Sequence, residues 1–187
     1  MRRPALSIQL TQCVLSMYLG LCLANLAIAQ TGIATRDYSS MYQTLNPSIV
    51  KIHVDGGSGS GFLVQQDGLI ATNHHVVHNT KYLAVEFSDG RKVKGEVVVL
   101  NPRYDVALIK VNSALTGSLA PLKLLPAESD RSVRAGTSVV AFGSPLSQTF
   151  LMTTGIVSKV EEGVLLGDFL IKPGNSGGPL SISMVKS

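Results

Sequence analysis

From Pro47 onward, short apolar runs rich in β-branched residues alternate with clusters of turn-forming residues, and no stretch shows a convincing helical period. Six successive runs predict strands at 48–54, 61–64, 69–73, 82–87, 93–100 and 106–111. Gln66-Asp67-Gly68 and Ser88-Asp89-Gly90 separate two pairs of them, each supplying a residue that tolerates positive φ. Six short antiparallel strands suit a small closed barrel, which leaves no sheet edge exposed. A loop-rich connection spans 112–136, and a second β set follows at 137–142, 150–160, 164–170 (the weakest) and 180–184. Residues 30–45 are polar and predict a lead-in arm.

The N-terminus has a different pattern. Arg2 and Arg3 are followed by no charge until Arg36, an apolar stretch covers 14–26, and Ala27-Ile28-Ala29 offers small residues where a signal peptidase cuts. Residues 1–29 therefore read as a signal peptide, with an uncleaved membrane anchor as the alternative, because the uncharged stretch is long enough to cross a bilayer of ~30 Å. Either reading exports the chain, to a bacterial periplasm or the extracellular space. Leu19-Gly20-Leu21-Cys22 is a poor lipoprotein signal, since Leu21 is bulky where a small residue is needed.

Composition changes this picture in two respects. The only cysteines, Cys13 and Cys22, lie in the leader, so residues 30–187 hold no disulfide and depend on their core. The formal net charge is +4, two units of it from the leader arginines, too mild to imply a nucleic acid or an anionic membrane as partner.

Three short motifs carry candidate chemistry. Gly174-Asn175-Ser176-Gly177-Gly178-Pro179 can expose a serine Oγ on a tight turn with backbone N–H groups free to hold an oxyanion. Read alone, it is also an ordinary Gly/Ser/Pro loop. It satisfies the Gly-x-Ser-x-Gly elbow of α/β-hydrolases too, but there the catalytic histidine follows the serine, and no histidine follows position 78. Thr72-Asn73-His74-His75-Val76-Val77 ends a predicted strand and offers two candidate general bases. His74 and His78 are spaced like a metal pair, yet no cysteine and no His-Glu-x-x-His pattern supports a metal. In Asn101-Pro102-Arg103-Tyr104-Asp105-Val106, Asp105 either orients a histidine from the start of a strand or caps the turn after Pro102. The order His, Asp, Ser is that of the chymotrypsin class.

Together with Asp105-Val106-Ala107-Leu108-Ile109-Lys110 and Ile171-Lys172-Pro173 leading into the serine motif, these residues resemble the HtrA (Deg-type) branch of trypsin-like serine proteases. Pro47-Ser48-Ile49-Val50-Lys51-Ile52 and Gly59-Ser60-Gly61-Phe62-Leu63-Val64 resemble that branch's opening strands, and Thr154-Gly155-Ile156-Val157-Ser158 resembles a strand of its second barrel. The resemblance runs from about residue 42 to 181. It implies an all-β fold of two antiparallel six-stranded barrels, the first over 46–115 with His75 and Asp105, the second over 116–187 with Ser176. It implies that His75 is the base and His74 a neighbour, that Asp105 holds His75 in the right tautomer, and that Ser176 is the nucleophile. The N–H groups of Gly174 and Ser176 would form the oxyanion hole. Asn175 stands where digestive trypsins carry the aspartate that pairs with a newly cut N-terminus, which argues against that route of activation.

The chain departs from the family pattern at its end. It stops at Ser187, soon after Ser176, without the two strands that complete the second barrel and without a C-terminal PDZ domain. The second barrel is therefore expected to be incomplete, in a truncated copy or in a short form completed by self-association or a partner. The expected activity is serine endopeptidase cleavage of unfolded or exposed polypeptide segments. The alternatives are a non-catalytic, peptide-binding or chaperone-like remnant and a small-ester hydrolase. The resemblance implies small aliphatic side chains in the substrate. No motif implies a metal, nucleotide or other cofactor.

Overall fold

A computed structural model describes residues 37–126, 133–144 and 150–182. The leader segment, the first part of the arm and the tail beyond Ile182 lie outside the described residues. All the elements below belong to one unit, Ser39–Ser187; Asp37 and Tyr38 are the described residues of the preceding one. Among the described residues no helix is long and apolar enough to cross a membrane.

The first barrel is built from β1 (Ile49–Val54), β2 (Gly57–Gln65), β3 (Leu69–Thr72), β4 (Leu83–Phe87), β5 (Lys92–Lys94), β6 (Glu96–Asn101) and β7 (Val106–Lys110). All pairings are antiparallel, in the order β5-β4-β1-β2-β3-β7-β6. Alternation sets the faces. Val50 and Ile52 of β1, Leu63 of β2, Ile70 of β3, Val85 of β4 and Ile109 of β7 point inward and are fully buried. Each such side chain contributes about 1.5–3 kcal/mol relative to exposure, which suits a chain with no cysteine in these strands.

The predicted fifth strand bends into β5 and β6 at Gly95, and this bend closes the sheet. β5 pairs with β4 at one edge while β6 pairs with β7 at the other, so the sheet curls until its edges meet at one residue. There the Gly95 N–H donates to the Leu83 carbonyl at 3.2 Å. A Cβ on Gly95 would lie 2.4 Å from a Leu83 methyl and 2.8 Å from an Ile109 methyl, so both walls are already in contact. Counting the bent strand once, the barrel has the six strands expected.

The second sheet is partial. It comprises β8 (Ser138–Gly143), β9 (Leu151–Glu161), β10 (Val164–Gly167) and β11 (Leu180–Ile182), ordered β10-β9-β8-β11 and antiparallel throughout. Its small core joins Val133, Val139 and Val157 with Phe169 and Ile182. Much apolar surface stays in solvent, with Val164, Leu166 and Leu170 each about half exposed. β10 is shorter than predicted, because Asp168 takes over the pairing and its Oδ1 accepts the Ile156 N–H at 2.7 Å.

Three further elements differ from the sequence reading. β2 begins at Gly57 rather than 61, its first half hidden by the composition Gly57-Ser58-Gly59-Ser60. Helix α1 (Ser39–Leu45) folds within the stretch read as a polar arm; Tyr42 stacks on Phe142 with ring centroids 6.5 Å apart and donates its hydroxyl to the Phe150 carbonyl at 3.0 Å. Helix α2 (His74–Val77) is a single turn directly after β3.

Candidate active site

The site begins where β3 ends. Asn73 has extended backbone angles and leads into α2, but its side chain does not cap that helix. The cap comes from across the sheet. The Asp105 carbonyl accepts the His74 N–H at 3.1 Å and the Asn73 side-chain amide at 2.8 Å. The Asp105 carboxylate accepts the His75 N–H through Oδ1 at 2.9 Å and meets His75 Nδ1 through Oδ2 at 2.7 Å. One residue thereby satisfies the opening N–H groups of α2 and orients an imidazole.

Asp105 holds a left-handed backbone, φ +52°, a conformation that aspartate tolerates better than most residues. The turn before it is served by Asn101, whose Oδ1 accepts the Tyr104 N–H at 3.3 Å. Of the two readings of Asp105, the turn-capping one thus falls to Asn101, and the carboxylate faces His75. Burial pushes the Asp105 carboxyl up, but the His75 N–H, the His75 ring and the nearby imidazole charges outweigh it and hold the carboxyl below its ordinary range.

The two histidines separate by orientation. The His75 ring pairs with Asp105, whereas the His74 ring stacks on His78 at 5.1 Å between centroids. Among the described residues no cluster of three or more His, Cys, Asp or Glu could hold a metal ion.

Ser176 sits on a double turn. The Asn175 N–H donates to the Lys172 carbonyl, the Gly178 N–H to the Asn175 carbonyl, both at 2.9 Å. Among the described residues the N–H groups of Gly174 and Ser176 donate to no carbonyl or side chain. Two unengaged donors flanking a serine can stabilise an oxyanion. The turn is fastened to the first barrel beside α2. Ser60 N–H donates to the Ser176 carbonyl at 2.8 Å, and a Cβ on Gly177 would lie 2.2 Å from Thr72 Oγ1. A Cβ on Gly59 would lie within 3.2 Å of both the Val76 side chain and the Ser176 carbonyl. The serine turn is thereby held against β2, the end of β3 and Val76, the neighbour of His75, while among the described residues no hydrogen bond joins Ser176 to His75. His75 and Asp105 come from the first barrel, Gly174 and Ser176 from the second.

Two clefts lie beside the junction of the two sheets. One of ≈690 Å³ runs between α1, Leu122–Leu125 and β11, and one of ≈510 Å³ lies against β2, β3 and β7 and reaches Asn73, Gly177 and Gly178. His75, Asp105 and Ser176 line neither of them. The His75 and Asp105 side chains are open to solvent, 53% and 45% exposed.

The sequence reading did not single out Ser60, Thr72, Asn73 and Ser144 as site residues, though the structure places them around the serine turn. The signal was the Gly59-Ser60-Gly61 run, read there as the opening of a strand.

A family model described as a trypsin-like peptidase domain matches residues 59–181. The serine protease HTRA1 of Xenopus tropicalis is 42% identical over 142 residues, which cover 70% of this chain and 30% of that protein. A probable periplasmic serine endoprotease, DegP-like, of Halomonas elongata is 37% identical over 130 residues, 65% of this chain and 26% of that one. Among solved structures, the serine endoprotease from Yersinia pestis superposes with a TM-score of 0.71 at 25% identity, covering 80% of this chain and 54% of that one. The HtrA-type protease AlgW, solved with a tripeptide, gives 0.69 at 24% identity, covering 79% and 51%, and shows the same fold. The chain spans about a third or less of the length of these curated relatives.

Proposed function

The chain belongs to the trypsin-like peptidases, in their HtrA branch, and from that premise we propose that it is a serine endopeptidase acting on unfolded or exposed polypeptide segments. The observation that carries this reading is the double contact of the Asp105 carboxylate with His75, beside a serine turn whose Gly174 and Ser176 N–H groups have no partner among the described residues.

The steps follow from those groups. With Nδ1–H given to Asp105, His75 Nε2 is left to accept a proton. Ser176 Oγ attacks the peptide carbonyl carbon as its proton passes to Nε2. The carbonyl oxygen becomes an oxyanion held by the Gly174 and Ser176 N–H groups, a contribution of about 3–4 kcal/mol per donor in comparable sites. The C–N bond then breaks, with Nε2 protonating the leaving amine. Water attacks the acyl ester, giving its proton to Nε2, and Ser176 Oγ is released as the hydroxyl with a carboxylic acid product.

By the same reading the chain is exported, to a periplasm or the extracellular space, and its ligand is polypeptide. The half-exposed apolar side chains of the second sheet support association through that sheet, with another copy or a partner.

The test is fluorophosphonate labelling of the full chain beside Ser176→Ala, His75→Ala and His74→Ala, followed by hydrolysis of fluorescein-labelled casein. Labelling should vanish in Ser176→Ala, fall by about 10³-fold or more in His75→Ala, and survive in His74→Ala. Folded wild-type chain that neither labels nor hydrolyses casein, but binds it, would establish the non-catalytic reading instead.

A further inference from the structure

Ser60 lies within β2, is fully buried, and has every polar group engaged, its N–H and hydroxyl across the junction of the two sheets and its carbonyl within the first barrel. Its N–H donates to the Ser176 carbonyl at 2.8 Å. Its hydroxyl donates to the Gly174 carbonyl at 2.6 Å and accepts the Ser144 N–H at 2.7 Å. Its own carbonyl accepts the Thr72 hydroxyl at 2.7 Å. A single first-barrel residue thus grips the serine turn on both sides of Asn175 and ties it to the residue following β8.

We propose that Ser60 is a positioning residue for the oxyanion-binding N–H groups of Gly174 and Ser176, a role that rests on the acyl-transfer reading above. Peptide units are rigid planes, so a carbonyl held in place fixes the plane it belongs to. The Gly174 carbonyl fixes the plane shared with the Asn175 N–H, and the Ser176 carbonyl fixes the plane shared with Gly177. Between them stands one peptide, the one that carries the Ser176 N–H. Gly174 has φ +98°, and a glycine can leave such a conformation at little steric cost. Its own N–H keeps its direction only while something outside the turn holds it. The Ser60 hydroxyl supplies that hold, and the Ser144 N–H fixes which way the hydroxyl proton points: with one lone pair engaged, the O–H is aimed at Gly174. A glycine or alanine at position 60 would keep the backbone bond to Ser176 and lose the hold on Gly174.

The experiment compares full-length wild type, Ser60→Ala and Val85→Ala by fluorophosphonate labelling kinetics, separating the limiting rate kinact from the half-saturating concentration KI. Val85 is a fully buried core residue of β4 with no part in the site, so its truncation controls for lost stability. Ser60→Ala should lower kinact by about 10²-fold, the scale of one lost oxyanion donor, with KI within about threefold of wild type. Val85→Ala, measured in the cold where it is folded, should hold kinact. Where Ser60→Ala does not fold, Ser60→Cys carries the same comparison, because a thiol is only a weak donor. Unchanged kinact in the Ser60 variant, or an equal fall in Val85→Ala, overturns the positioning role while leaving the peptidase reading intact. Wild type without Ser176-dependent labelling overturns both.

Discussion

Asp105 meets His75 twice, through the main-chain N–H at 2.9 Å and through ring Nδ1 at 2.7 Å, so the position and the rotation of the imidazole are fixed by the same carboxylate. A single bond would leave the ring free to turn about its contact.

Replacing that carboxylate separates the two contacts. In Asp105→Asn the amide oxygen can still accept the His75 N–H, which keeps α2 in place. The amide NH₂ then faces Nδ1 and makes it the acceptor, so Nε2 carries the proton and cannot take one from Ser176. The labelling rate should fall by about 10³–10⁴-fold in a chain that still folds, with Tm somewhat lower at neutral pH because the charge that favoured the folded state is gone. Labelling within tenfold of wild type would remove Asp105 from the machinery.

Closure of the first barrel can be tested at Gly95. A methyl group there overlaps Leu83 and Ile109 from opposite edges of the sheet. Leu83 can swing its methyl away, whereas the Ile109 branch sits close to the backbone of β7. Gly95→Ala should cost about 1–3 kcal/mol, the range for overpacked cores, lowering Tm by several degrees. Gly95→Val should be worse or fail to fold. Tm unchanged in the alanine variant would mean that the two edges do not meet at this residue.

Acid stability should depend on Asp55 as well as Asp105. Asp55 Oδ2 accepts the N–H groups of Lys81 and Tyr82 at 2.5 and 3.1 Å and the Thr80 hydroxyl at 3.2 Å, pinning the β1–β2 turn to the loop before β4. The Lys81 N–H is the main reason its carboxyl is held below the ordinary 3.8, with Tyr82 next. A carboxyl lowered on folding contributes stability that is complete above its unfolded pKa and lost as pH falls through the folded value. Tm should therefore be level above about pH 5 and fall below about pH 4. Asp55→Asn, which keeps an acceptor but no charge, should start lower at neutral pH and fall less steeply; an identical slope would dismiss Asp55 as a contributor.

Much of this architecture was legible in the linear pattern. Side chains alternate faces along a strand, so Val50 and Ile52 or Val85 and Phe87 announce one shared face without knowledge of the partner strand, although Ile49, Lys51 and Ala84 on the other face are buried as well. The serine turn was legible for a similar reason, since tight turns select glycine locally. Where composition masked the pattern the reading fell short: Gly57-Ser58-Gly59-Ser60 has little β propensity, and β2 forms there because β1 pairs with it residue for residue. Helices α1 and α2 are too short to display a period.

The sequence by itself determined the succession of strands along the chain, their division into two β sets and the succession His, Asp, Ser, all of which rest on local burial and on residue type. Tertiary structure decided which imidazole meets the aspartate's carboxylate, since His74 and His75 are chemically equal neighbours and the ring contact with Asp105, 30 residues from His75, belongs to His75 alone of the two. It also decided that Asn101 rather than Asp105 serves the turn, and that Ser60 reaches Gly174 across 114 residues. Such contacts leave no periodic trace in the chain, because they are set by how two sheets meet and not by the propensities of the residues that meet there.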